Sequence, residues 1–192
     1  MDVNLGRLVA RSCEQLAIPE DVRERIVAFL QQRLHVQIRE KGYGHELSTL
    51  AVSVAGSRPL QVLRFLEVFS KLQAEQWFVE LVTSAVRVRN ILAKSGDASA
   101  SVDESLFAKE AESRLYAEIV RINPLVEEAL AGQDWKALAG YLSELSPFVT
   151  SFFEDVLVMD PDERVKCNRI HLLGLCNALF LKVGDLGILK GV

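Results

Sequence analysis

Arg87, Asn90 and Lys94 stand three and four residues apart in a stretch, Leu81 to Gly96, that holds no acidic residue. On a helix they share one side, opposite an apolar face made by Phe78, Leu81, Val82, Ala85, Val88 and Leu92. Two cations and an amide so placed can converge on one anionic ligand, or stand as a plain solvated face. Arg89 falls on the apolar side, where it must snorkel or pair with a carboxylate. A second acid-free stretch, Arg164 to Gly184, carries Arg164, Lys166, Arg169, His171 and Lys182. Its apolar stripe is Val165, Leu172, Leu175, Cys176, Leu179, Phe180 and Val183, with Asn168 and Arg169 flanking the N-terminal end. Polar groups aimed at a neighbouring helix need partners. Two arrangements supply them. Arg169 can pair with an acid such as Asp155 or Asp160 while Asn168 bonds a loop carbonyl, or both can meet a ligand in a groove. Arg164 and Lys166 point outward, within reach of phosphates.

Catalytic and metal-binding patterns are not met. Gly42-Tyr43-Gly44-His45-Glu46-Leu47 starts like a dinucleotide fingerprint but lacks the third glycine and follows a helix, so it reads as a helix end and turn. His45-Glu46 opens a zinc-protease motif, yet Thr49 stands where the second histidine belongs. Cys167 and His171 are one helical turn apart with no further ligands nearby. Acidic clusters such as Glu110/Glu112, Glu127-Glu128 and Asp162-Glu163 read as solvated helix faces. No catalytic residue and no cofactor is expected. Three cysteines without a CxxC pair suit a reducing compartment, and no apolar run is long enough to span a bilayer. With no signal-peptide layout at the N-terminus, a cytoplasmic protein is expected.

These residues must be positioned by helices, because the apolar spacing is helical throughout. Residues 20–41 place Val22, Ile26, Phe29, Leu30, Leu34 and Ile38 at intervals of three and four, between Pro19 and Gly42. Shorter helices are expected over 4–17 and 46–55. One starting near Ser57-Arg58-Pro59 is expected to run to about Leu72, with a long one over 75–94. Residues 95–101 read as a polar linker. A helix over 104–131 is expected to kink or break at Pro124 and to close at Gly132. Asp134 then caps a helix to about Leu145. Ser146-Pro147 starts another to about Val158, and Asp160-Pro161 the last, reaching about Val183. The class is all-α, a bundle of about nine or ten helices. The 192 residues, 49% of them hydrophobic, suit one domain or two small ones. Net charge is −4, which argues against broad nucleic-acid affinity, but residues 1–95 sum to +3 and residues 96–192 to −7.

Three segments, Arg87-Val88-Arg89-Asn90-Ile91-Leu92, Ser151 to Met159, and Arg164-Val165-Lys166-Cys167-Asn168-Arg169-Ile170-His171-Leu172-Leu173, closely resemble the C-terminal region of the bacterial glycyl-tRNA synthetase beta subunit. The resemblance extends through Leu179 to Leu186 and back to Gly42-Tyr43 and Pro59-Leu60. It implies a DALR-type helical anticodon-binding domain over 75–192, preceded by a helical segment over 1–74. It departs at Arg89 and Cys167, where the family often has a small polar residue and a second asparagine. The resemblance further implies an alpha2beta2 enzyme whose alpha subunit carries aminoacylation while beta supplies most of the tRNA binding. This chain would be a fragment of beta, with Met1 an added start and no active site of its own. Its implied partners are the tRNA(Gly) anticodon stem-loop, the remainder of beta, and alpha.

The tRNA-binding residues then expected are Arg87, Lys94, Arg164 and Lys166 toward phosphates, and Asn90, Asn168 and Arg169 toward the edges of unstacked bases. Arg and Asn carry the donors that cytosine O2 and N3 need, and Asn adds an acceptor for its amino group. Trp77, Phe152 and Phe153 have the ring area to stack on bases or to fill the core. The alternative from another class is a helical protein-interaction module without a nucleic-acid role.

Overall fold

The computed structural model describes residues 3–95 and 101–189, and every regular element among them is helical. The chain divides into two compact units, Met1–Gln73 and Ala74–Val192. Residues 96–100 of the expected linker lie outside the described residues.

The first unit contains α1 (Leu5–Gln15), α2 (Glu20–Glu40), α3 (His45–Ala55) and α4 (Pro59–Leu72). Each helix packs on the next. The Asn4 side chain caps α1 by accepting from the Arg7 N–H at 3.0 Å. The Leu5 N–H donates to the Ser57 carbonyl at 2.7 Å and ties that start to the α3–α4 turn. Gly42, at φ +90°, makes the left-handed turn after α2 that a side chain would strain. Pro59 occupies the first position of α4, where no N–H is required. The core is Leu47, Leu50 and Ala51 against Val62, Phe65, Leu66 and Phe69. The apolar stripe expected of α2 is only partly covered. Ile38 is buried, but Val22, Ile26, Leu30 and Leu34 are half-buried and Phe29 is 60% exposed. With 21 residues, α2 outruns its 11-residue neighbours α1 and α3 within the unit, so they leave much of that stripe open.

The second unit contains α5 (Gln76–Leu92), a 3-10 turn at Glu104–Leu106, α6 (Glu110–Gly132), α7 (Trp135–Ser143), α8 (Leu145–Asp155), α9 (Glu163–Phe180) and two closing 3-10 turns, Leu181–Val183 and Leu186–Leu189. α6 packs on α7, α8 and α9, and α5 packs on α7, α8, α9 and the last turn.

Several expectations are corrected here. The helix expected from 104 starts only at Glu110, because Glu112 folds back to accept the N–H groups of Ala108 and Lys109 at 2.8 and 2.7 Å. Of the kink or break expected at Pro124, the break does not occur, and α6 runs through the proline. Its ring leaves the Val120 carbonyl without its helical donor, but Val120 and Pro124 are both exposed, so water can serve that carbonyl. The left-handed residue that ends α6 is Gln133, at φ 56°, and Gly132 is still helical. α9 is capped by Asp162, whose Oδ1 accepts from the Arg164 N–H at 2.8 Å, and Asp160 is left for another task. α9 is also buried beyond its expected stripe. Ile170 and Leu173 join the core, while Leu175 is 37% exposed.

Candidate nucleic-acid interface

The buried face of α5 is the expected one, with Phe78, Leu81, Val82, Ala85 and Val88 all in the core. That packing fixes the helix's rotation and turns Arg87, Asn90 and Lys94 to solvent. Among the described residues none of the three forms an ion pair. The Arg87 guanidinium instead lies over the Phe153 ring of α8, its central carbon 4.2 Å from the ring centroid. Arg89, on the other side, meets both carboxylate oxygens of Asp185 at 2.6 and 2.7 Å. A Cβ at Gly187 would sit 2.2 Å from Arg89 Nη1, so a side chain there would displace the guanidinium from its place beside Asp185.

On α9 the structure decides between the two arrangements open to Asn168 and Arg169. Both are buried, 3% and 4% exposed. The Asn168 amide accepts from the Asp103 N–H at 2.7 Å and donates to the Asp103 carbonyl at 2.9 Å, clamping the backbone ahead of the 3-10 turn. Arg169 donates from Nε to Glu112 at 2.8 Å, and from Nη1 to Asp160 at 2.6 Å and to the Leu157 carbonyl at 2.9 Å. These contacts satisfy the pair from within the fold, and neither side chain faces a groove. Burial works against the Arg169 charge, but Glu112 and Asp160 more than offset it, so the guanidinium holds its proton more tightly than usual. The Asp162 N–H, and then Arg169, hold the Asp160 carboxyl below the ordinary range.

Arg164 and Lys166 stand at the start of the same helix. Lys166 is paired with Glu163 at 2.8 Å. Arg164 is exposed and forms no ion pair among the described residues. Ser105 donates its hydroxyl and its N–H to Asp103 and lowers that carboxyl's pKa, and Arg164 adds a smaller pull in the same direction. Packing thus sorts the seven lysines and arginines of the two acid-free stretches. Arg89, Lys166, Arg169 and Lys182 each meet a carboxylate, whereas Arg87, Lys94 and Arg164 meet none among the described residues.

One residue escaped the sequence reading. Glu112, taken for part of a solvated acidic face, is fully buried, and its place three residues after the helix boundary was the available signal. Of the rings named for stacking or for the core, Phe153 is half-buried under Arg87, while the neighbouring Phe152 is fully buried. Nothing in local spacing distinguishes those two rings.

Comparison with known proteins bears on this second unit. A family model described as DALR anticodon binding domain matches residues 81–186, more than half of the chain. The chain belongs to the DALR anticodon binding domain family. The DALR match begins inside α5, ends in the last 3-10 turn, and takes in both acid-free stretches' lysines and arginines. The chain is also 30% identical over 172 residues to the glycine–tRNA ligase beta subunit of Acinetobacter baumannii (strain AYE), covering 90% of this chain and 25% of that protein. It is 32% identical over 165 residues to the subunit of Acinetobacter baylyi, covering 86% and 24%. The Thermodesulfovibrio yellowstonii subunit is 30% identical over 184 residues, covering 95% and 27%. The chain therefore spans about a quarter of the length of the curated relatives it matches.

Proposed function

We propose that this chain is the anticodon-binding part of a glycine–tRNA ligase beta subunit and contributes tRNA recognition to aminoacylation in translation. The observation that carries the reading is the sorting of charge inside the DALR region. In a chain of net charge −4, Arg87, Lys94 and Arg164 reach solvent without an acidic partner among the described residues, and Asn90 stands between the first two on the same side of α5. Unpaired outward cations are what a phosphate backbone requires, and an adjacent amide has both a donor and an acceptor for a base edge. Asn168 and Arg169 drop out of the proposed contact set, because their hydrogen bonds are used inside the fold. Lys166 contributes only as one half of an exposed ion pair. In this reading the chemistry of aminoacylation lies elsewhere in an alpha2beta2 enzyme of the cytoplasm, and this chain requires no cofactor.

Filter binding with tRNA(Gly) and an anticodon-substituted copy tests the proposal. Weak, salt-dependent binding that falls when the anticodon is changed is expected. The double substitution Arg87→Glu with Lys94→Glu is expected to weaken it by roughly tenfold or more at low salt. Unchanged affinity would remove α5 from the interface. Absence of tRNA binding even at low salt, with a co-purifying protein partner, would favour a helical protein-interaction module instead.

A further inference from the structure

We infer that Arg87 serves as a flat stacking platform for an unpaired RNA base, with Phe153 as the residue that holds it flat. This rests on the RNA-binding reading and assigns Arg87 a different role from a phosphate contact. Four observations carry it. First, the guanidinium is placed by a ring on another helix, with its central carbon 4.2 Å from the Phe153 centroid. Arg87 is exposed, so the side of the guanidinium away from the ring meets solvent. Second, no carboxylate among the described residues pairs with Arg87, whereas Arg89 and Arg169 are both fixed by acids. Third, the platform is anchored. Phe153 meets Phe152 edge to face, with centroids 5.5 Å apart at 77°, and Phe152 is fully buried. A rigid line thus runs from the core through two rings to an exposed guanidinium. Fourth, Asn90 is one helical turn along the same side and Lys94 one turn further. A base lying on Arg87 has an amide beside its edge and a cation beside the next phosphate.

The occupant is an unpaired nucleobase of an RNA loop. Every base offers a π-face, so the platform adds affinity and order without choosing the base. The choice falls to Asn90.

The test uses the full chain and an RNA stem-loop carrying the glycine anticodon loop, with 2-aminopurine replacing one loop base at a time. Fluorescence at one loop position is expected to change on binding. Arg87→Lys keeps the charge but has no plane, and Phe153→Leu fills the same space but has no ring. Both are expected to abolish the change and to weaken binding about tenfold, as loss of one stacked base does. Arg87→Lys alters only an exposed side chain, so it keeps the test decisive if Phe153→Leu folds poorly. Wild-type affinity and an unaltered fluorescence change in Arg87→Lys would overturn the platform and leave the RNA-binding proposal standing. No RNA binding by the unsubstituted chain at low salt would overturn both.

Discussion

Glu112 receives three N–H donors, from Ala108, Lys109 and Arg169, at a site with no exposure to solvent. One oxygen caps the start of α6 and the other neutralises α9, so a single carboxylate joins two helices. Glu112→Gln would present an amide N–H2 toward the Arg169 donor or toward the capped backbone, and would leave the buried guanidinium underpaired. A loss of about 3–5 kcal/mol is expected, read as a fall in the urea midpoint with an unchanged slope. His35 is a second residue whose surroundings set its chemistry. Burial, then the neighbouring His45 and Arg39, lower its pKa, and its Nε2 lies 3.4 Å from His45 Nδ1. A lowered histidine pKa means that the unfolded chain takes up the proton first. Stability is therefore expected to decline as pH falls below about 6.5 and to level off once folded His35 is protonated. An NMR titration should place the His35 midpoint below 6.5, and His35→Gln should flatten that part of the stability profile.

At the scale of elements, helix ends were legible wherever a side chain or a proline acts locally. Asp134 accepts from the Ala137 N–H at 2.9 Å as its position predicts, and Pro59 opens α4. Asp134→Ala is expected to cost about 1 kcal/mol in thermal or urea unfolding. Two starts were nonetheless misplaced. The start of α6 is set by Glu112, which was read as a solvated acid, and the start of α9 was assigned to Asp160, which is occupied by Arg169, in place of Asp162. Pro124 is the opposite case, a local breaker overridden by packing. Ile119, Ile122, Val126 and Ala129 are buried along one face of α6 and hold the helix through the proline. The helix nonetheless forgoes one hydrogen bond. Pro124→Ala is expected to stabilise the chain by about 1–2 kcal/mol, the helical gain exceeding the entropy returned to the unfolded state, as a rise in melting temperature would show.

For the whole molecule, net charge is a poor guide to the interface. At −4 it argues against general affinity for polyanions, yet Arg87, Lys94 and Arg164 meet no carboxylate among the described residues of the DALR region. With Lys94 and Arg164 as the phosphate contacts, the plot of log K against log salt should have a slope of about −1 to −2, far shallower than that of a broadly basic RNA binder. Replacing Arg87 and Lys94 together with glutamine should flatten it further.

The sequence by itself determined the all-α class, the rotation of α5 about its axis and the two acid-free stretches within the family's domain. Each of these depends on residue type and helical spacing alone, and spacing is a property of the chain. Only the tertiary structure decided which basic residues are spent and which are available. Arg169 finds Glu112 from 57 residues away and Arg89 finds Asp185 from 96 residues away, so no local pattern reports that either is consumed. The same packing that hides Asn168 and Arg169 seats Phe153 beneath Arg87. An ion pair or a stacked ring is settled by which surfaces meet, and helical periodicity specifies that a face is apolar without naming the face it will meet.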